Sequence, residues 1–204
     1  MRVNKKKFIY LISPNKIYKK FFKDLQKVLV TKKISFFQLR LKKYSLKHKV
    51  LIGQKIKNIC KKNKVKFLIN DDPILAMRLG ADGCHLGQKD MDIKEARKII
   101  GKKIIGITCH NSISLAKKAI KAKASYLAFG AFYSSRTKKT HHVANISILD
   151  KINKITKTPI VAIGGINSEN YKKLLLKNAN FLAISGYVWN NKKYKPFEAI
   201  ERLK

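Results

Sequence analysis

Eight short apolar runs, each followed by a stretch with helical spacing, constrain this chain more than any other feature. The runs at Phe8–Ser13, Ser35–Arg40, Phe67–Asn70, Gly83–Leu86, Lys103–Thr108, Tyr126–Gly130, Pro159–Ile163 and Phe181–Ser185 are predicted strands. Helical periodicity predicts Tyr18–Val30, Leu46–Asn63, Pro73–Leu79, Ile93–Ile100, Ser112–Ala122, Ile146–Ile155, Asn170–Leu176 and a last helix near Phe197–Leu203. Strands that are apolar throughout and alternate with helices indicate a parallel sheet covered by helices. Eight such units indicate a single α/β domain, a (β/α)8 TIM barrel over residues 1–204, at the compact end of that fold's size range. An internal echo agrees: LGADGCHLG from Leu79, KAKASYLAFG from Lys121 and KNANFLAISG from Lys177 each lead from a helix end into a strand. An open doubly wound sheet is the alternative, but it needs fewer strands.

Charge is the second constraint. The chain has 47 Lys and Arg against 11 Asp and Glu, a formal net charge of +36. Such an excess raises the question of nucleic acid. The excess is nearly all Lys, spread through every segment alongside many Ile and Asn, which is the signature of an AT-rich genome, and no recognition-helix, RRM or zinc signature accompanies it. Solvated surface charge that attracts phosphorylated molecules is the better reading, with no specific nucleic-acid partner expected. Three scattered cysteines, Cys60, Cys84 and Cys109, form no CxxC pair, and no apolar run is long enough for a membrane span. The expectation is a cytoplasmic protein without a membrane partner; whether it is a monomer or a homo-oligomer is left open.

In a barrel the C-terminal ends of the strands converge on the active-site face. Four acidic residues, Asp71, Asp72, Asp82 and Asp90, fall within Phe67–Asp90. Two carboxylates meeting there suit a hard divalent cation such as Mg²⁺, which takes oxygen ligands and substrate phosphate oxygens. The competing reading is that Asp71 or Asp72 caps the helix beginning at Pro73. The second strand delivers Gln38, Arg40 and Lys42, with Lys43 beside them; the third delivers Asn70; the fifth ends in Thr108, Cys109 and His110. The one long connection, 131–145, carries Ser134, Ser135, Arg136, Thr137 and Lys138. Gly164–Gly165 after the seventh strand and Ile184–Ser185 at the end of the eighth occupy the usual phosphate-binding corner of a TIM barrel. Two anion sites emerge, one of carboxylates and cations for a pyrophosphate, the other a glycine nest with hydroxyls for a phosphate monoester. Two phosphorylated small-molecule substrates facing each other imply group transfer with pyrophosphate as the leaving group.

QLRLK from Gln38, IND from Ile69, GADGCHLGQKD from Gly80, Thr137-Lys138 and AIGGI from Ala162 follow the order and spacing of the thiamine phosphate synthase family, which the chain resembles over nearly its whole length. The resemblance implies joining of hydroxymethylpyrimidine pyrophosphate to hydroxyethylthiazole phosphate. It implies Mg²⁺ on Asp71 and Asp90. It assigns the pyrimidine pyrophosphate to Gln38, Arg40, Lys42, Asn70, Thr108 and Lys138. The thiazole phosphate falls to Ser135, Arg136, Thr137, Gly165, Ile184 and Ser185, with Gly164 beside them. The family's chemistry needs no side-chain nucleophile: Arg40, Lys42 and Lys138 are its catalytic cations, and His85 and His110 are expected to orient rather than act as bases. The sequence departs from the family pattern at Leu41, where an acid is usual, at Thr108, where Ser is usual, and at Ala131, Ser134-Ser135 and His141–Asn145. The sister thiazole tautomerases share the barrel but tend to lose the cationic and metal positions, which this chain keeps.

Overall fold

The structure is a computed structural model that describes residues 7–134 and 143–204. Its first half runs β1 (Ile9–Ile12), α1 (Phe21–Val30), β2 (Ile34–Leu39), α2 (Leu46–Lys62), β3 (Lys66–Asn70), α3 (Pro73–Arg78), β4 (Gly83–Leu86) and α4 (Ile93–Ile100). The second half runs β5 (Ile104–His110), α5 (Ile113–Lys121), β6 (Tyr126–Phe129), α6 (Ser147–Ile155), β7 (Ile160–Ile163), α7 (Tyr171–Leu176), β8 (Phe181–Ile184), α8 (Gly186–Trp189) and α9 (Pro196–Glu201). The strands form a closed barrel in chain order, every neighbour parallel, with β1 pairing β8. The TIM barrel expected from the sequence is therefore present.

Two cores follow from the strand alternation. Side chains facing out pack under the helices: Leu11, Phe37, Phe67, Ile69, Cys84, Leu127 and Leu182 against Phe21, Leu25, Ile56, Ala76 and Leu174. Side chains facing in fill the barrel: Tyr10, Phe36, Leu68, Tyr126, Val161 and Phe181. Four of the helices begin where polar side chains accept from free backbone N–H groups, Ser45 from His48, Asp72 from Leu75, Asp92 from Lys94 and Ser112 from Leu115. Cys60, Cys84 and Cys109 are free and buried, and burial pushes the Cys84 and Cys109 thiols up to about 12. They are packing residues, not nucleophiles.

Two details differ from the expectation. The helix α8 is a single turn, too short for a periodicity to reveal. Strand β5 runs two residues further, to His110, because a register shift between Thr108 and His110 accommodates an extra residue against β6.

The taper of the barrel interior requires glycine at two points. A Cβ on Gly83 would lie 2.0 Å from the Ile104 carbonyl oxygen, and one on Gly106 would lie 1.8 Å from Cζ of the Tyr126 ring. Gly106 is thus the space into which Tyr126 fits. Gly106→Ala should lose about 1–3 kcal/mol of stability through overpacking, seen as a clear fall in melting temperature; an unchanged melt would contradict the tight fit.

Candidate active site

The carboxylates are placed by the backbone at the end of β3. Asn70 pairs with His85, and the Asp71 N–H donates to the His85 carbonyl at 2.8 Å, extending the ladder by one residue. Asp71 then takes a left-handed φ of +65°, a conformation Asp tolerates better than most side chains. The next residue is the helix cap: Asp72 Oδ1 accepts from Leu75 N–H at 2.8 Å. The cap reading therefore holds for Asp72, and Asp71 is left to face the barrel mouth. There Asp90, folded back so that its Oδ2 accepts from Gly87 N–H at 2.7 Å, comes within hydrogen-bonding reach of the Asp71 carboxyl. Burial first, and then the Asp71 carboxyl, push Asp90 above the usual carboxylate range, against the Gly87 N–H and the Lys42 charge, which pull it down. Lys42 Nζ lies 3.1 Å from Asp71 Oδ2. Two carboxylates this close must share a proton or a cation. An all-oxygen pair fits a hard divalent cation that completes its shell with water and phosphate oxygens.

Beside the pair opens a cleft of about 480 Å³, lined by apolar Leu39, Leu41, Ile69 and Leu75 and by polar Lys42, Lys49, Asn70 and Asp71. The alternation along β2 places the cleft's neighbours. Leu39 and Leu41 are buried outward, whereas Gln38 is buried inside the barrel and Lys42 is on the rim. Between them, Arg40 donates from Nη1 to Asn15 Oδ1 at 3.0 Å, and its backbone N–H donates to Ser13 Oγ at 2.9 Å. Ser13, one of the few buried polar side chains, also offers its carbonyl to Ser185 Oγ–H at 3.1 Å, tying the ends of β1, β2 and β8 together. Trp189 on α8 adds Nε1–H to the Ile12 carbonyl at 2.7 Å. This is the setting of the candidate phosphate residues Ile184 and Ser185, the first buried and the second at the start of α8.

A continuous polar chain crosses the barrel interior below the mouth. Gln38 Nε2–H donates to Tyr10 Oη at 2.8 Å, the Tyr10 and Tyr126 hydroxyls are 2.8 Å apart, Tyr126 Oη meets His85 Nδ1 at 2.9 Å, and His85 Nε2 meets Thr108 Oγ1 at 2.9 Å. Burial raises both phenols, so they stay protonated. The chain fixes Gln38 and Thr108 at opposite sides of the cavity and locks the His85 ring, which also stacks on Tyr126. Tyr10 and Tyr126 had no signal in the sequence beyond being apolar-run aromatics; only closure of the barrel brings them within reach. Ser13 and Asn15, beside Pro14, likewise carried no motif.

Gly164 and Gly165 have φ of +105° and +60°. What approaches them is the segment after β6. A Cβ on Gly164 would meet Ala131, one on Gly165 the backbone of Tyr133 and Ser134, and Phe132 N–H and Tyr133 N–H donate to Ile163 and Gly164 carbonyls at 3.1 and 3.2 Å. The glycines therefore let the start of the long loop, Ala131–Ser134, lie flat on the end of β7. Ser135, Arg136, Thr137 and Lys138 themselves lie outside the described residues.

The raised Asp90 carboxyl carries a sign that can be tested. Because its folded pKa lies above the unfolded value, the fold favours its protonated form, and stability is lost as pH rises through the folded pKa. Asp90→Asn, whose amide oxygen can keep the Gly87 contact, should therefore melt higher than the parent at pH 7 in chelator. The gap should close below about pH 4, where the parent carboxyl is protonated in both states. Differential scanning across pH reads this directly, and a variant that melts lower at every pH would contradict it.

With this geometry in place, the comparisons converge. The family model described as thiamine monophosphate synthase matches residues 9–188. The chain is 67% identical over its full length to the whole of a thiamine-phosphate synthase from Pelagibacter ubique. It is 39% identical to one from Erythrobacter litoralis over 89% of this chain and 88% of that one. Its fold superposes on a thiamine phosphate pyrophosphorylase from Pyrococcus furiosus with a TM-score of 0.86 and 28% identity, covering 98% of this chain and 94% of that one. A barrel whose strand ends carry this carboxylate pair, this cation row and this glycine corner, matched from first strand to last, belongs to the thiamine monophosphate synthase family of transferases in thiamine biosynthesis.

Proposed function

We propose that the chain condenses 4-amino-2-methyl-5-hydroxymethylpyrimidine pyrophosphate with hydroxyethylthiazole phosphate to give thiamine phosphate and pyrophosphate. The observation that carries this reading is the Asp71–Asp90 pair with Lys42 against it and Arg40 alongside on the same strand end. That group of charges suits a magnesium pyrophosphate and has no use in a reaction without one. Asp71 and Asp90 would hold Mg²⁺, which when bound offsets charge on the pyrophosphate. In this reading the bond from the pyrimidine methylene carbon to the pyrophosphate oxygen breaks, and both electrons leave with the oxygen. Arg40, Lys42 and Lys138 take up the developing negative charge. The thiazole nitrogen then gives its lone pair to the methylene carbon, forming the C–N bond. Gln38, Asn70 and Thr108 hold the pyrimidine, supported from behind by Tyr10, Tyr126 and His85. Ser135, Arg136, Thr137, Gly164, Gly165, Ile184 and Ser185 hold the thiazole phosphate. No side chain need act as nucleophile or base. The free, buried thiols support a cytoplasmic setting; among the described residues no helix is long and apolar enough to cross a membrane.

Incubation with both substrates and Mg²⁺ should release thiamine phosphate and pyrophosphate in equal amounts, and excess chelator should stop it. Isomerisation of a thiazole carboxylate phosphate without pyrophosphate release would favour the tautomerase instead. Asp71→Ala should cut turnover ~10²-fold or more, whereas Asp72→Ala should cost ~1 kcal/mol of stability through the lost cap and leave turnover nearly intact. Lys138→Ala should lower kcat by ~10²-fold while thiazole phosphate binding, followed by calorimetry, changes little, because its charge is needed most as the leaving group departs.

A further inference from the structure

Among the described residues, the Lys42–Asp71 ion pair is the one that sits at the C-terminal mouth of the barrel; the pairs Lys66–Asp82, Lys33–Glu201, Lys98–Glu95 and Lys177–Asp150 lie elsewhere. Lys42 Nζ is 3.1 Å from Asp71 Oδ2, and its charge also reaches Asp90, whose carboxyl is within hydrogen-bonding reach of Asp71. The ammonium thus pairs with one of the two carboxylates that a divalent cation would use and acts on the other through its charge. Metal binding would weaken its hold there, since two cations would then share the same carboxylates. Lys42 reaches this place on a long, flexible side chain that is more than half exposed. The same side chain can swing to a pyrophosphate oxygen on the cleft side without backbone movement.

We propose that Lys42 is a tethered counter-ion that occupies the cation position of the free enzyme, and that metal entry and transfer of Lys42 from Asp71 to the pyrophosphate are one exchange. This rests on the magnesium-pyrophosphate reading above and adds to it an order of events. In the free enzyme Lys42 holds metal affinity down. Pyrophosphate, by giving the ammonium another partner, raises it, and by linkage the metal raises affinity for pyrophosphate. The device keeps the carboxylates neutralised between turnovers and ties the metal to the presence of substrate.

The test is metal binding to the substrate-free enzyme, read by Mn²⁺ electron paramagnetic resonance without any turnover. Lys42→Met should bind Mn²⁺ about fivefold more tightly than the parent, the upper range expected when an exposed ion pair no longer competes. Lys42→Arg, which can pair with Asp71 at two points, should bind no more tightly than the parent. Lys49→Met removes an equal charge from the same cleft but from a lysine not paired with Asp71, and should change affinity less than twofold. Equal tightening by Lys42→Met and Lys49→Met would mean a general field and overturn the exchange, as would no tightening by Lys42→Met. Mn²⁺ binding that survives Asp71→Ala unchanged would sink the metal reading itself, a separate result from failure of the exchange. Lys42 is exposed and Lys49 and Asp71 are partly exposed at the rim, so each variant is expected to fold.

Discussion

The parallel ladder between β1 and β8 is the constraint on which the site depends. Once Ile9, Tyr10 and Leu11 pair with Leu182, Ala183 and Ile184, the sheet has no edge, and eight strand ends that are far apart in the chain point at one small area. Ser13 shows how tightly the closure is held. Its hydroxyl receives the Arg40 N–H and its carbonyl receives the Ser185 hydroxyl, so residues separated by 172 positions in the chain share one hydrogen-bonded corner. Breaking that corner would move a candidate catalytic cation and a candidate phosphate ligand together.

The interior of the barrel is organised by a second requirement, that buried polar groups be satisfied. Tyr10 and Tyr126 bring hydroxyls into a space otherwise filled by Phe36, Leu68, Val161 and Phe181. Left unpaired, each hydroxyl would cost about 1–3 kcal/mol. Joined to each other, to Gln38 and through His85 to Thr108, they support the candidate binding side chains Gln38 and Thr108. Gly106 is part of the same device, since only its missing side chain lets the Tyr126 ring reach both partners. The rigid placement of Gln38 and Thr108 is therefore a property of the core.

Charge acts on two scales. The net +36 is a general field that favours phosphorylated ligands and whose effect falls with salt. The few carboxylates stand out against it, and their local geometry decides their roles. Asp72 spends its charge on a helix cap, Asp82 accepts from the Phe67 N–H and pairs Lys66 at the far end of β3, and Asp71 and Asp90 face each other at the mouth. Of these, the last two are held near one another in spite of their repulsion, in keeping with the cation site proposed above.

Much of this was legible in the sequence. Apolar runs and helical spacing located all eight strands and eight of the nine described helices, because burial on both faces leaves a parallel strand continuously apolar. The run from Gly80 to Asp90 and the alternation of Gln38, Arg40 and Lys42 marked the mouth before any strand was paired. Without the family resemblance, residue type alone could not separate Asp71 from Asp72, neighbours of which only the second caps the helix, because the choice turns on the backbone: a left-handed φ at Asp71, whose N–H bonds to the His85 carbonyl. It also could not show the Gln38–Tyr10–Tyr126–His85–Thr108 chain, which joins five strands and exists only after closure. Nor could it show that Gly164 and Gly165 make room for the backbone of Ala131–Ser134. Local pattern determined which residues form strands, helices and strand ends, because periodicity and burial are properties of neighbours in the chain. Tertiary structure decided which of those ends touch, because contacts across a closed sheet depend on register and closure, which no single segment contains.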